Sequence, residues 1–289
     1  LLQVKRRERP GKRDDIRARG ACAMSTTRRI SYERIQRLEA ELLPRDWAIL
    51  GMVERLHLVT GAQLVRVHWP EATDADLRAA RRTLQRLTHW RLLARLERRM
   101  GGLGRGSTSW TYGLDVAGQR LLARRHARPR RPHLPRPAMW QHVLGVAEVY
   151  TRVMEATRGT DRRVLQWQGE PASWRRFTGS LGEALLVKPD AYVELDGPTY
   201  IDSLFLEIDM GTQSPAVIRR KLEGYRRYAA TGVEQAEHGV FPRVVFLTAD
   251  AGRQAQLVDL LAAQDPGDWR LFGVGLIHET RRLLVEGEV

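Results

Sequence analysis

From Ser31 onward the apolar residues recur at helical spacing. Ile35, Leu38 and Leu42 mark one helix over 31–43, stopped by Pro44. Ile49, Leu50, Val53 and Leu56 mark a second over 47–58, with Asp46 placed to cap it. Val59-Thr60-Gly61 breaks that helix, Thr60 caps a short one over 62–67, and His68-Trp69-Pro70 ends it. After Thr73 a longer helix carries Asp74 and Asp76 in its first turn, where acids complement the dipole. Its apolar stripe runs through Leu77, Ala80, Leu84 and Leu87 to His89. Two strands follow, at 92–96 and 109–112, joined by the glycine-rich segment 101–106, and a helix spans 115–125. The three helices over 47–58, 62–67 and 73–89, followed by a β-hairpin, give the order of a winged helix-turn-helix unit, here over 31–126.

The pattern changes at 127–138, where Pro129, Pro132, Pro135 and Pro137 alternate with arginines in an extended, semi-rigid linker. Beyond it, 140–157 reads as a helix and 164–168, 184–195 and 200–209 as strands. A helix over 215–230, a strand over 243–248, a helix over 252–263 and a strand over 271–278 complete the chain. This order predicts an α/β unit over 139–289 built on a mixed sheet. The expected fold class is α+β overall, a winged helix-turn-helix domain followed by that α/β domain.

Charge divides the chain at the same place. The 289 residues carry a formal net charge of +14. Residues 24–140 hold 23 basic and 10 acidic groups, whereas 141–289 hold 17 and 21. A GC-rich genome would explain why only Lys5, Lys12, Lys188 and Lys221 are lysines, but not why the sign reverses. A polyanionic partner is expected for the front half, with double-stranded DNA the natural one. Arg78, Arg81, Arg82, Arg86 and Arg91 lie on or just beyond the third helix, the position that enters a major groove. Arg95, Arg98, Arg99 and Arg105 put further charge on the hairpin, where a wing meets the backbone. Any one of these is an ordinary solvated arginine; the pattern carries the reading. The glycines at 102–106 lack the strand, helix and Lys-Ser/Thr of a phosphate-binding loop, so they read as a wing tip.

Residues 1–30 form a basic extension without apolar periodicity, and 1–23 read as a region upstream of a start at Met24. The lone Cys22 excludes an intramolecular disulfide framework and a cysteine-based zinc site, which suggests a cytoplasmic setting. No apolar run approaches the length of a bilayer span, so no membrane partner is expected.

Acids intrude on the core-like strands of the back half. Asp190 stands near the start of one strand, and Leu204-Phe205-Leu206-Glu207-Ile208-Asp209 ends the next with two. By the period of two, Glu207 and Asp209 share a face. Two acids there repel unless a cation, a proton or a basic partner sits between them. A hard divalent ion such as Mg²⁺ satisfies that need. Lys221 falls on the helical face of Val217 and Tyr225, the side expected to meet the sheet. A lysine there also reads as a simple amphipathic anchor.

Asp190, then Glu207-x-Asp209, then a helix, resembles the PD-(D/E)XK nuclease fold. Lys188-Pro189-Asp190 and Glu207-Ile208-Asp209-Met210-Gly211-Thr212, behind a winged helix, are similar to the replication-relaxation family of plasmids and mobile elements. The resemblance covers about 45–280. It implies Mg²⁺ or Mn²⁺ held by Asp190 and Glu207, with Glu148 matching an acid that sometimes joins from the first helix. It also implies catalytic roles for Asp190, Glu207, Asp209 and Lys221 in phosphodiester hydrolysis. Asp209 stands where the superfamily lysine is usual, and Lys221 is placed to replace it from the following helix. Two other readings stay open. One is a non-catalytic winged-helix regulator whose nuclease-like domain serves homodimerisation or contact with other replication or mobilisation proteins. The other is a nickase using Tyr225 or Tyr228.

Overall fold

A computed structural model describes residues 30–96, 110–125, 134–197, 199–263 and 266–287. Residues 1–29 of the extension expected over 1–30, the wing-tip glycines, Arg98, Arg99, Arg105 and the linker up to His133 lie outside the described residues.

The front half opens with α1 (Tyr32–Glu41), capped where Ser31 Oγ accepts from the Arg34 amide at 3.2 Å. Pro44, expected as a stop, also opens α2 (Pro44–Leu56), since its fixed φ suits a first helical position and it has no donor to lose. Asp46 therefore lies inside the first turn, accepting from the Leu43 amide at 3.0 Å. α3 (Gly61–His68) begins with reciprocal bonds between Thr60 and Gln63, at 2.9 and 3.2 Å. α4 (Asp74–His89) repeats that device with Thr73 and Asp76. Val59–Thr60, expected only as a break, is a strand, β1; a two-residue run is too short to show a period. It pairs antiparallel with β3 (Thr111–Leu114), which pairs in turn with β2 (Leu93–Leu96). α5 (Val116–Arg125) closes this half.

In the back half α6 (Trp140–Ala156) precedes β4 (Arg163–Gly169), β5 (Arg175–Thr178), β6 (Ala184–Val187), β7 (Ala191–Asp196) and β8 (Ile201–Asp209). Then come α7 (Pro215–Ala230), α8 (Val233–His238), β9 (Arg243–Thr248), α9 (Ala251–Ala262) and β10 (Phe272–Leu276). The strand expected over 184–195 is two, split at Lys188-Pro189-Asp190, because Pro189 has no donor for a ladder. β5 and β6 form a separate hairpin. The main sheet has the order β10-β9-β8-β7-β4. β4, β7 and β8 are antiparallel, while β8, β9 and β10 are parallel, so the sheet is mixed and the chain α+β.

Alternation on β8 divides the two layers. Leu204, Leu206 and Ile208 join Val245, Leu247 and the α6 residues Ala147, Val149 and Val153. Phe205 joins Ile218, Leu222 and Tyr225 of α7 and Leu257 and Leu260 of α9. The α6 cluster does not stop at the linker: it continues through Tyr112, Leu64, Ile49 and Leu38 of the front half. Gly145 lets α6 settle onto the end of β8, since a Cβ there would stand 2.9 Å from Met210 Sδ and 3.1 Å from Ile208 Cγ2. Among the described residues no helix is long and apolar enough to cross a membrane.

Candidate metal and phosphodiester site

The site forms where α6, the end of β4 and the neighbouring ends of β7 and β8 converge. Antiparallel register sets Gly169 opposite Ala191 and Ala191 opposite Leu206, which draws Glu170, Asp190 and Glu207 together. Asp190 is 7% exposed and firmly held. Its amide donates to Leu206 O at 2.9 Å, and its Oδ2 accepts from the Ile208 amide at 2.7 Å. Ser173 Oγ donates to Pro189 O at 2.6 Å and fixes the preceding residue. The remaining oxygen, Oδ1, lies 3.1 Å from His142 Nε2, on the first turns of α6. One ligand atom each from His142, Glu170 and Asp190 lie within 4.8 Å of one another. Trp174 Nε1 donates to Glu170 Oε1 at 3.0 Å, and Lys188 Nζ stands 4.6 Å from the Trp174 ring centroid.

Glu207 is buried beside this group. Lys221 Nζ approaches its Oε2 at 2.5 Å, and Tyr225 donates to its Oε1 at 2.6 Å. Burial and the charge of Asp190 push the Glu207 carboxyl up to about 7, against the pull of Lys221 and Tyr225. Burial and Asp190 likewise raise Glu170, which the Trp174 bond partly offsets. Burial opposes a charged His142, but its bond to Asp190 and the nearby carboxylates outweigh that and raise it. Burial acts against a charged Lys221 too, yet Glu207 and Asp190 leave it raised. The raised His142 and Lys221 report the carboxylates around them, whereas Glu207 and Glu170 are raised first by burial.

The residues singled out from sequence separate here. Asp190, Glu207 and Lys221 meet. Asp209 lies on the same face of β8 as Glu207 but is tied to Arg253, whose Nε and Nη2 donate to its Oδ2 at 3.0 and 2.7 Å. Its Oδ1 accepts from the Gly211 amide at 2.7 Å. Glu148, expected with the ligands, is instead bonded to Gln63 and Arg66 of α3 and paired with Arg152. A six-residue step along α6 turns it away from the face of His142. The sequence reading does not single out His142 or Glu170: strand pairing brings in Glu170, and the packing of α6 on the sheet brings in His142. Tyr225 and Tyr228 are buried, bonded to Glu207 and Glu234, and their phenols are raised by burial, which removes them as ready nucleophiles.

On the front half, Arg78, Arg81 and Arg82 are exposed along α4, and Arg95 is exposed over the Trp110 ring at 4.2 Å. Arg86 is half-buried, bonding both oxygens of the buried Asp46 at 2.7 Å and stacking over Trp90. Arg91 pairs with Asp115 at 3.5 Å. The first three thus present charge outward, while Arg86 and Arg91 also brace the fold.

The donors fit a divalent ion on their chemistry, two carboxylates and an imidazole converging on one point. The imidazole shifts the preference from an all-oxygen Mg²⁺ site toward a transition ion such as Mn²⁺. Replacing His142 with Ala is therefore expected to weaken Mn²⁺ binding by at least about tenfold. Mg²⁺ binding should fall less, so that the preference for Mn²⁺ narrows. Calorimetric titration of both ions reads the difference, and equal losses would speak against imidazole ligation.

No curated protein matches the chain. Among solved structures, restriction endonuclease FokI shares 12% identity at a TM-score of 0.28, covering 82% of this chain and 43% of its own. FokI bound to DNA gives 11% and 0.25 with the same coverage. This chain thus spans less than half the length of FokI, at a superposition too loose to carry an argument. The family model for replication-relaxation proteins matches residues 50–244, well over half of the sequence, and the chain belongs to that family.

Proposed function

We propose that the protein binds double-stranded DNA through a winged helix-turn-helix unit and cleaves a phosphodiester at a PD-(D/E)XK-type site, in the replication or mobilisation of a plasmid or other mobile element. The observation that carries this reading is the convergence of His142, Glu170 and Asp190 beside the Glu207–Lys221 pair. His142, Glu170 and Asp190 would hold the ion, with Glu207 next to them. A bound divalent ion supplies Lewis acidity toward the phosphoryl oxygen and lowers the pKa of its water. Asp190, braced by the Ile208 amide, keeps the ligand group in register with the sheet. Lys221, anchored on Glu207 and partly exposed, sets positive charge where an anionic phosphate must sit. Water attacks phosphorus, the P–O3′ bond breaks, and a proton ends on the 3′ oxygen, leaving a 5′-phosphate.

The recognition role rests on α4. Arg78, Arg81 and Arg82 share its exposed face, beside a shallow cleft lined by Ala79, Arg82, Thr83 and Arg86. If each of the three touches one phosphate, replacing all of them with Ala should flatten the log K against log salt slope by about 2.7. Fluorescence anisotropy at several salt concentrations reads that slope, and an unchanged slope would move the interface elsewhere.

The catalytic reading is tested by incubating supercoiled plasmid with the protein and Mn²⁺ or Mg²⁺. Nicked or linear product bearing 5′-phosphates is expected. Binding without scission in either ion would select the regulator, a reading favoured by one observation: both Glu207 oxygens already have protein partners.

A further inference from the structure

The strongest polar contact between the two halves is a single arginine. Arg66 on α3 donates from Nε and Nη2 to Glu155, at 2.8 and 2.5 Å, and from Nη1 to both oxygens of Glu148, at 2.9 and 2.8 Å. Both carboxylates belong to α6, so one guanidinium grips two turns of that helix. Around it, Gln63 donates to Leu144 O and Glu148, Arg55 donates to Tyr150, and Arg158 donates to the carbonyls of Arg66 and Val67. Tyr150 packs edge-on against Trp167 of β4, with ring centroids 4.9 Å apart. Beneath these bonds the apolar cluster is continuous from Leu64 to Ala147 and Val149. A jointed pair of domains would show a wet, polar seam instead.

The helix that Arg66 grips also carries His142, six residues before Glu148, or about 9 Å along the axis. On the other side, α3 leads into α4 through five residues anchored by the fully buried Trp69, and the Arg86–Asp46 pair ties α4 to α2. We propose that Arg66 locks the recognition half and the phosphodiester site into one rigid body, so that scission falls at a fixed distance from the bound sequence. The second clause rests on the nuclease reading; the first does not. Arg66 is a positioning residue, acting on the site through α6.

The test labels the full chain with nitroxides at Gln85→Cys on α4 and Asp259→Cys on α9, both exposed positions, in a Cys22→Ser background. Pulsed electron spin resonance then gives the distance distribution, and end-mapping gives the cut site relative to the protected footprint. One narrow distance and one cut offset are expected. Arg66→Asp, which sets a third carboxylate against Glu148 and Glu155, should broaden the distance and scatter the cuts over several nucleotides. Should that variant fail to fold, Arg66→Ala removes the fork without adding charge and takes its place. A broad distance in the parent chain, scattered cuts from a narrow one, or an Arg66 variant as narrow as the parent each overturn the proposal. A narrow distance with no scission in any divalent ion leaves the rigid body standing and defeats the nuclease reading alone.

Discussion

Replacing Asp190 with Asn is expected to abolish divalent-ion binding and to reduce plasmid scission roughly 10³-fold or more, while leaving the fold intact. Asn keeps the size of Asp and one carbonyl oxygen, which can still accept from the Ile208 amide as Asp190 Oδ2 does at 2.7 Å. The other arm becomes an NH₂ group, a donor with no charge, where Oδ1 now faces His142. That single exchange removes a proposed ligand and turns the local dipole the wrong way for a cation. Losing several kcal/mol of charge stabilisation at the phosphoryl group corresponds to about three powers of ten in rate. Single-turnover cleavage gives the rate, calorimetry gives the ion affinity, and a melting curve within a few degrees of the parent shows the fold survives. Scission at the parental rate would remove Asp190 from the site altogether.

Part of that site could be read before any coordinates. The alternation Leu204-Phe205-Leu206-Glu207-Ile208-Asp209 assigns both acids to one face, and their partners Lys221, Tyr225 and Arg253 all come from the helices on that face. Lys221 and Tyr225 were placed on one side of their helix by spacing, and both reach Glu207. Local periodicity decided these cases, because each depends on a few consecutive residues. His142 and Glu170 depend on something else. They are 28 residues apart, one in the opening turns of a helix and one just past a strand, and meet only because β4 pairs with β7 in a particular register and α6 packs across that sheet. No short window of sequence contains that register. Glu148 differs again: only the family resemblance implies it as a ligand, and its partner Arg66 comes from the other half of the chain. The strands β1 and β5 escape the sequence reading for a plainer reason, since runs of two to four residues cannot establish a period.

Replacing Arg253 with Met is expected to cost about 3–5 kcal/mol of stability, because it strands a buried carboxylate. Asp209 is 2% exposed and Arg253 is 8% exposed. The guanidinium also donates to Gln213 O at 2.7 Å, so the change also frees a half-buried acceptor. Pairing it with Asp209→Leu removes the stranded charge and should recover most of the loss, although the Gly211 amide then loses its acceptor. Urea denaturation of the parent, each single variant and the pair measures the coupling; strictly additive losses would show that the ion pair contributes nothing. The same proteins also separate the roles of the two acids on β8. With its charge cancelled by Arg253, Asp209 is expected to act as a structural residue at the place where the nuclease resemblance would put a lysine, while Lys221 bonds Glu207 from α7. The refolded double variant should therefore cleave at close to the parental rate. A double variant that is stable and inactive would return Asp209 to the chemistry.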